Sequence, residues 1–203
     1  MALGALAAMF ATGAAMATGR PAFNSTRALL ARISAAGRAE ATVETAVEDL
    51  LSGKARTVRG RLALELPHFA RLELPEGETL TLREDGGDWL QPRNRQLVRS
   101  GPNSAAPALR WSALLLESGS TDIRERALDA RGYELVATGA DSASAERQRV
   151  WLGAQGYPVR LEIVNPGGER RVYRLSGWRF ARARGRAAFV LRAPPGFEAV
   201  DLP

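Results

Sequence analysis

The sequence predicts a mainly β fold: an antiparallel, half-open barrel of about ten or eleven strands with a helical lid over an apolar cavity. Three observations carry this reading. Apolar and polar residues alternate with a period of two in segment after segment. Turn residues punctuate those segments at spacings of roughly ten residues. Only two stretches have a helical composition, and a sheet with one apolar face needs them as its cover.

The elements follow in chain order. Residues 2–17 are uncharged and apolar and end Ala15-Met16-Ala17, a small-x-small pattern. They read as a secretory leader cleaved after Ala17, too short to span a bilayer, which leaves 18–203 as one domain. A helix is expected from the Asn24-Ser25-Thr26 cap cluster to Gly37, with Leu29, Leu30 and Ile33 on one stripe. The period then becomes two. Val43, Thr45 and Val47 alternate with Glu44, Ala46 and Glu48, and Glu40, Glu44 and Glu48 form a solvated face. Leu62, Leu64 and Leu66 make the next strand, Leu72 and Leu74 the next, and Leu80 and Leu82 another. Turns are expected at Ser52-Gly53-Lys54, Pro67-His68, Pro75-Glu76-Gly77 and Asp85-Gly86-Gly87-Asp88. Trp89-Leu90 and Gln96-Leu97-Val98 open two further strands.

Residues 101–132 break the pattern. Gly101, Pro102 and Pro107 stop the strands, and Leu109, Trp111 and Leu114-Leu115-Leu116 form a short, strongly apolar helical or irregular insertion. Alternation returns at 133–136, 149–152 and 159–163, then after the Asn165-Pro166-Gly167-Gly168 turn at 171–175. Phe189-Val190-Leu191 is the last strand expected.

Ten strands curl, and two short helices are a small lid for so large a face. Leu62, Leu64, Leu72, Leu74, Leu80, Leu82, Trp89, Val159, Leu161 and Ile163 would line the cavity. Leu29, Leu30, Ile33, Trp111, Leu114 and Leu115 would form the lid. Two outcomes stand open on pattern alone: the helices fill the core, or they shelter a space for an apolar ligand.

Composition narrows the chemistry. The 203 residues are 45% hydrophobic and 25% charged, as in globular proteins. The absence of cysteine excludes thiolate metal sites and cysteine nucleophiles. His68 is the only histidine, placed in an expected solvated turn, so neither a metal site nor a Ser-His-Asp centre is expected, and no cofactor. The net charge is +6, with Lys54 the single lysine among 28 basic residues. The arginines are spread along the chain without interleaved aromatics, so no nucleic-acid partner is expected.

Gly60-Arg61-Leu62-Ala63-Leu64-Glu65-Leu66-Pro67 followed by His68-Phe69-Ala70-Arg71-Leu72-Glu73 resembles the leading strand pair of the outer-membrane lipoprotein carrier family, LolA. Asp85-Gly86-Gly87-Asp88-Trp89-Leu90, with Pro92 and Gln96 after it, resembles that family's hairpin. Gly156-Tyr157-Pro158-Val159-Arg160-Leu161 and Phe189-Val190-Leu191-Arg192-Ala193-Pro194-Pro195-Gly196 resemble its closing strands. The likeness runs from about residue 24 to 200, with four motifs in order. It implies an incomplete barrel under a helical lid and a monomeric, non-enzymatic periplasmic carrier. Such a carrier takes acylated lipoproteins from an inner-membrane release complex to an outer-membrane receptor. One position departs: the family commonly has Arg just before the strand-pair proline, where it holds the lid, and this chain has Leu66. The resemblance therefore extends to a divergent paralogue. The alternative is a sensor or adaptor module like the RseB domain, recognising a lipid-bearing or protein partner.

Overall fold

The computed structural model describes residues 26–48, 55–102, 107–117, 123–137, 146–165 and 167–202. The expected leader at 1–17 and the expected turn at 52–54 lie outside them. So do the side chains of Leu114 and of a few residues bordering the gaps.

The fold is mainly β. One sheet of twelve strands holds the chain together. Strands β1 (Arg38–Glu48), β2 (Ala55–Glu65), β3 (Phe69–Glu73), β4 (Thr79–Arg83), β5 (Gly86–Gln91) and β6 (Gln96–Ser100) form one meander. Strands β7 (Ile123–Ala127), β8 (Gly132–Ala137), β9 (Arg147–Leu152), β10 (Pro158–Val164) and β11 (Arg170–Ala181) form a second. The long β1 joins them by pairing with both β2 and β11. A final strand, β12 (Glu198–Leu202), runs parallel to β6, the one parallel pairing among the described residues. The order is β12-β6-β5-β4-β3-β2-β1-β11-β10-β9-β8-β7, and β12 and β7 remain unjoined edges. The barrel is open.

Helix α1 (Arg27–Ala36) packs on β1 and β11, and helix α2 (Pro107–Glu117) on β3 and β4. At Gly37 φ is +106°, its N–H donates to the Ile33 carbonyl at 2.6 Å, and an added Cβ would stand 2.5 Å from the Ala183 nitrogen. Glycine is required there, as the sequence suggested. Thr26 precedes the helix but makes no side-chain cap bond.

Both helices lie on one face. Trp111 of α2 stacks on Tyr173 of β11 with ring centroids 5.4 Å apart. Yet α2 sits on β3 and β4, and β2 and β1 separate β3 from β11, a span of roughly 14 Å in a flat sheet. The sheet therefore bends around the helix, and the core lies in its concavity.

The structure corrects several expectations. The described residues hold twelve strands, against about ten or eleven expected. β7 was unforeseen in 101–132, and β12 makes the sheet not wholly antiparallel. The tight turn expected at 85–88 sits at Glu84-Asp85, because Gly86 already pairs with Arg83. Gly86 has φ +134°, and a Cβ there would fall 2.0 Å from the Ser100 carbonyl oxygen. Phe189-Val190-Leu191 is not a strand. After β11 the chain crosses the convex face as a strap, opening with a 3-10 turn at Arg186–Phe189.

Side chains hold that strap. Glu65 accepts from the N–H groups of Arg184 (2.7 Å) and Gly185 (3.1 Å). Arg71 donates to the Ala188 carbonyl (2.9 Å) and Arg83 to the Phe189 carbonyl (2.8 Å). Asp88 accepts from the N–H of Leu191 at 2.8 Å, and Phe189 packs on Phe69. The other half of the convex face carries a charged rung instead. Arg126, Glu134, Arg149 and Glu162 are direct partners across β7, β8, β9 and β10.

Candidate functional site

Strand alternation sends one set of side chains into the concavity. Leu62 and Leu64 come from β2, Leu72 from β3, Leu80 and Leu82 from β4, Leu161 and Ile163 from β10. All seven are buried in one contiguous cluster. Leu74 and Trp89 are half-buried against its margin, and the Trp89 Nε1–H donates to Glu78 at 2.8 Å. Val159 does not join them. A bulge between Pro158 and Arg160 breaks the alternation of β10, and Val159 is left 42% exposed outside the cluster.

The two helices supply the roof. Leu29 and Ile33 of α1 and Trp111 and Leu115 of α2 are buried in the same cluster, and Leu30 packs half-buried beside them. Leu114 cannot be placed with them, since its side chain lies outside the described residues. Sequence reading missed much of the lining: Val43, Leu109, Leu116, Tyr133, Leu135, Val150, Tyr173 and Leu175 belong to the cluster too. The alternating strands around Val43, Leu135, Val150 and Tyr173 had marked those positions as apolar, but which face each strand turned inward needed the topology.

Inner residues on β7–β11 fall into cross-strand rungs. One runs Tyr133, Val150, Leu161 and Tyr173, apolar but for two phenols. Burial pushes the Tyr173 hydroxyl above the usual tyrosine range, against the opposing pull of Arg171. The next rung, toward the 165–169 turn, runs Glu125, Leu135, Gln148, Ile163 and Arg171. Gln148 at its centre is fully buried, and its side-chain nitrogen and oxygen have no hydrogen-bond partner among the described residues. Such a group costs ~1–3 kcal/mol when left unpaired.

His68 lies in the expected turn, partly exposed rather than fully solvated. Its Nδ1 stands 3.4 Å from Glu117 Oε1 at the end of α2, with about a third of each side chain exposed. This contact links the β2–β3 turn, two residues after Leu66, to the helix. It borders an open cleft of about 290 Å³ lined also by Leu82, Arg83, Glu84 and Ala113. Among the described residues no group of three or more His, Asp and Glu side chains converges within metal-binding reach. The arrangement offers apolar surface under a two-piece cover.

No family model matches the chain, and no curated protein matches it. Solved structures similar in fold include three bacterial proteins. A LolA superfamily protein from Nitrosomonas europaea aligns at 12% identity and TM-score 0.44, over 82% of this chain and 98% of that one. A DUF1329 family protein from Desulfovibrio piger aligns at 13% identity and TM-score 0.47, over 80% and 94%. A domain assigned to outer membrane lipoprotein sorting in Vibrio parahaemolyticus aligns at 14% identity and TM-score 0.42, over 81% and 95%.

Proposed function

We propose that this protein is a non-enzymatic periplasmic carrier. It receives the acyl chains of lipoproteins between its sheet and its two helices and shuttles them from the inner to the outer membrane. The observation that carries the reading is the divided cover. The apolar concave face of an open sheet is roofed by two short helices, far apart in sequence and seated on different strands. Leu62, Leu64, Leu72, Leu80, Leu82, Leu161 and Ile163 would line the site, with Leu74 and Trp89 at its margin, and Leu29, Leu30, Ile33, Trp111 and Leu115 would be its lid.

The lining and lid side chains are buried against one another in one cluster, so cargo enters by exchange with the helices. Helices of 10 and 11 residues have little stability of their own and are held by their apolar stripes. An acyl chain gains ~0.8 kcal/mol per buried CH₂, on the order of 10 kcal/mol for one chain. It also re-covers the surface a displaced helix uncovers. The periplasmic placement follows from the expected leader, and the lipoprotein cargo and its two membrane partners from the family resemblance of the sequence motifs.

Binding of a fluorescent fatty-acid probe tests the reading. Leu64→Glu, which sets a carboxylate in the lining, is expected to weaken the probe at least tenfold while the circular dichroism stays that of a folded sheet. Unchanged binding in that variant counts against a carrier. Native mass spectrometry of protein from its own periplasm then asks whether lipid or lipoprotein travels with it. A regulatory protein recovered in place of acylated cargo would favour the sensor alternative.

A further inference from the structure

Gln148 sits where a polar side chain has no structural use. It lies on the inner face near the start of β9, opposite Leu135 on one side and Ile163 on the other, both members of the apolar core. It is fully buried, and both ends of its amide lack partners among the described residues. A leucine or methionine there would fill similar space without stranding two polar atoms. Buried polar groups are nearly always satisfied, and the exceptions call for a physical account.

Its level in the barrel supplies one. The rung of Gln148 is flanked by Glu125 and Arg171, and the next rung is Tyr133, Val150, Leu161 and Tyr173. An amphiphile laid along these rungs has its chain beside the apolar one and its polar linkage beside Gln148. The carboxamide offers a donor at Nε2 and an acceptor at Oε1. A secondary amide satisfies both, its carbonyl accepting from Nε2 and its N–H donating to Oε1. An ester carbonyl satisfies only Nε2, and a free carboxylate repels Oε1.

We propose that Gln148, unpaired between Leu135 and Ile163 on the inner face of β8, β9 and β10, is a recognition residue for the amide linkage of an N-acylated ligand. This deepens the carrier reading and rests on it.

The test uses two ligands that differ by one group, N-methylhexadecanamide and methyl hexadecanoate, each displacing a bound fluorescent fatty-acid probe from the full chain. The parent is expected to prefer the amide by roughly tenfold, the worth of about one buried hydrogen bond. Gln148→Leu is expected to bind both ligands equally and to melt at a higher temperature than the parent. Gln148→Met, which keeps the unbranched shape, is expected to do the same, so a packing fault peculiar to leucine does not decide the result. Equal binding of the two ligands by the parent overturns the proposal, as does a preference that survives in both variants. If the probe itself never binds, the carrier reading fails with it. If probe and ligands bind without discrimination, the carrier stands and the role of Gln148 falls.

Discussion

The carboxylate of Asp88 accepts a hydrogen bond from the backbone N–H of Leu191 at 2.8 Å, joining residues 103 positions apart. Asp88 is 1% exposed and also accepts from Nη1 and Nη2 of Arg83, at 2.8 and 3.3 Å. Arg83 in turn donates to the Phe189 carbonyl. A strand carboxylate and its arginine thus clasp both sides of the strap that carries the chain to β12.

Asp88→Ala leaves Arg83, whose side chain is only 11% exposed, with the half-exposed Asp85 as its remaining counter-ion and strands the Leu191 N–H. The expected cost is ~3 kcal/mol or more, read as a lower urea midpoint. Because the strap lies on the convex face, fatty-acid probe binding measured in the folded range is expected to stay within twofold of the parent.

On the other half of the convex face Glu162, 2% exposed, stands within 4 Å of Arg149, Arg160 and Arg170 at 3.4, 3.0 and 3.6 Å. The arginines reach water, so each pair is partly screened. Glu162→Gln is expected to cost about 2 kcal/mol in urea unfolding. A double-mutant cycle with Arg149→Gln is expected to show a coupling that shrinks as salt is raised.

Much of this fold could be read from residue order, and the reasons for the rest are physical. β2, β3 and β4 were legible because leucines alternate with charged or small residues and the sheet obeys that alternation. β7 was not, because Arg124, Glu125 and Arg126 place charge on both faces of the strand. The buried face of Asp88 was hidden by Gly86-Gly87, which read as a turn when Gly86 was already paired to Arg83. Phe189-Val190-Leu191 has strand composition, but its polar backbone is met by the side chains of Arg83 and Asp88, which no local pattern reveals. Val159 was misplaced by a one-residue bulge. The helix at 26–36 and the insertion at 103–118 were expected as covers, while the stacking of Trp111 on Tyr173 depends on sheet curvature. Gln148 carried no signal at all, since one amide among arginines at 147–149 reads as surface.

Acid sensitivity is expected from Asp129. Hydrogen bonds from the N–H of Arg131 (2.8 Å) and then from Trp151 Nε1 (3.1 Å) hold its carboxyl below the usual aspartate range, and the Gly132 N–H adds to them. A carboxyl depressed on folding stabilises fully above its unfolded value of about 3.9, and that contribution fades as pH falls through the lower folded value. The gap in melting temperature between the parent and Asp129→Asn is therefore expected to be flat from pH 5 to 7 and to close below about pH 4.

Trp111 offers the sharpest separation of stability from binding. It projects from the roof helix α2, fully buried and stacked on Tyr173, and occupies interior space that cargo would need. Truncation to Ala removes a large buried surface and is expected to cost about 3–5 kcal/mol. In a protein whose interior serves only as a core, nothing recovers that loss. In a carrier, an acyl chain can fill the vacated volume without first displacing the indole. Trp111→Ala is therefore expected to bind the fatty-acid probe several-fold more tightly than the parent, and saturating fatty acid is expected to raise its melting temperature more than it raises the parent's. A variant that is destabilised and gains nothing from fatty acid would mean that the helices are part of the core and not its lid.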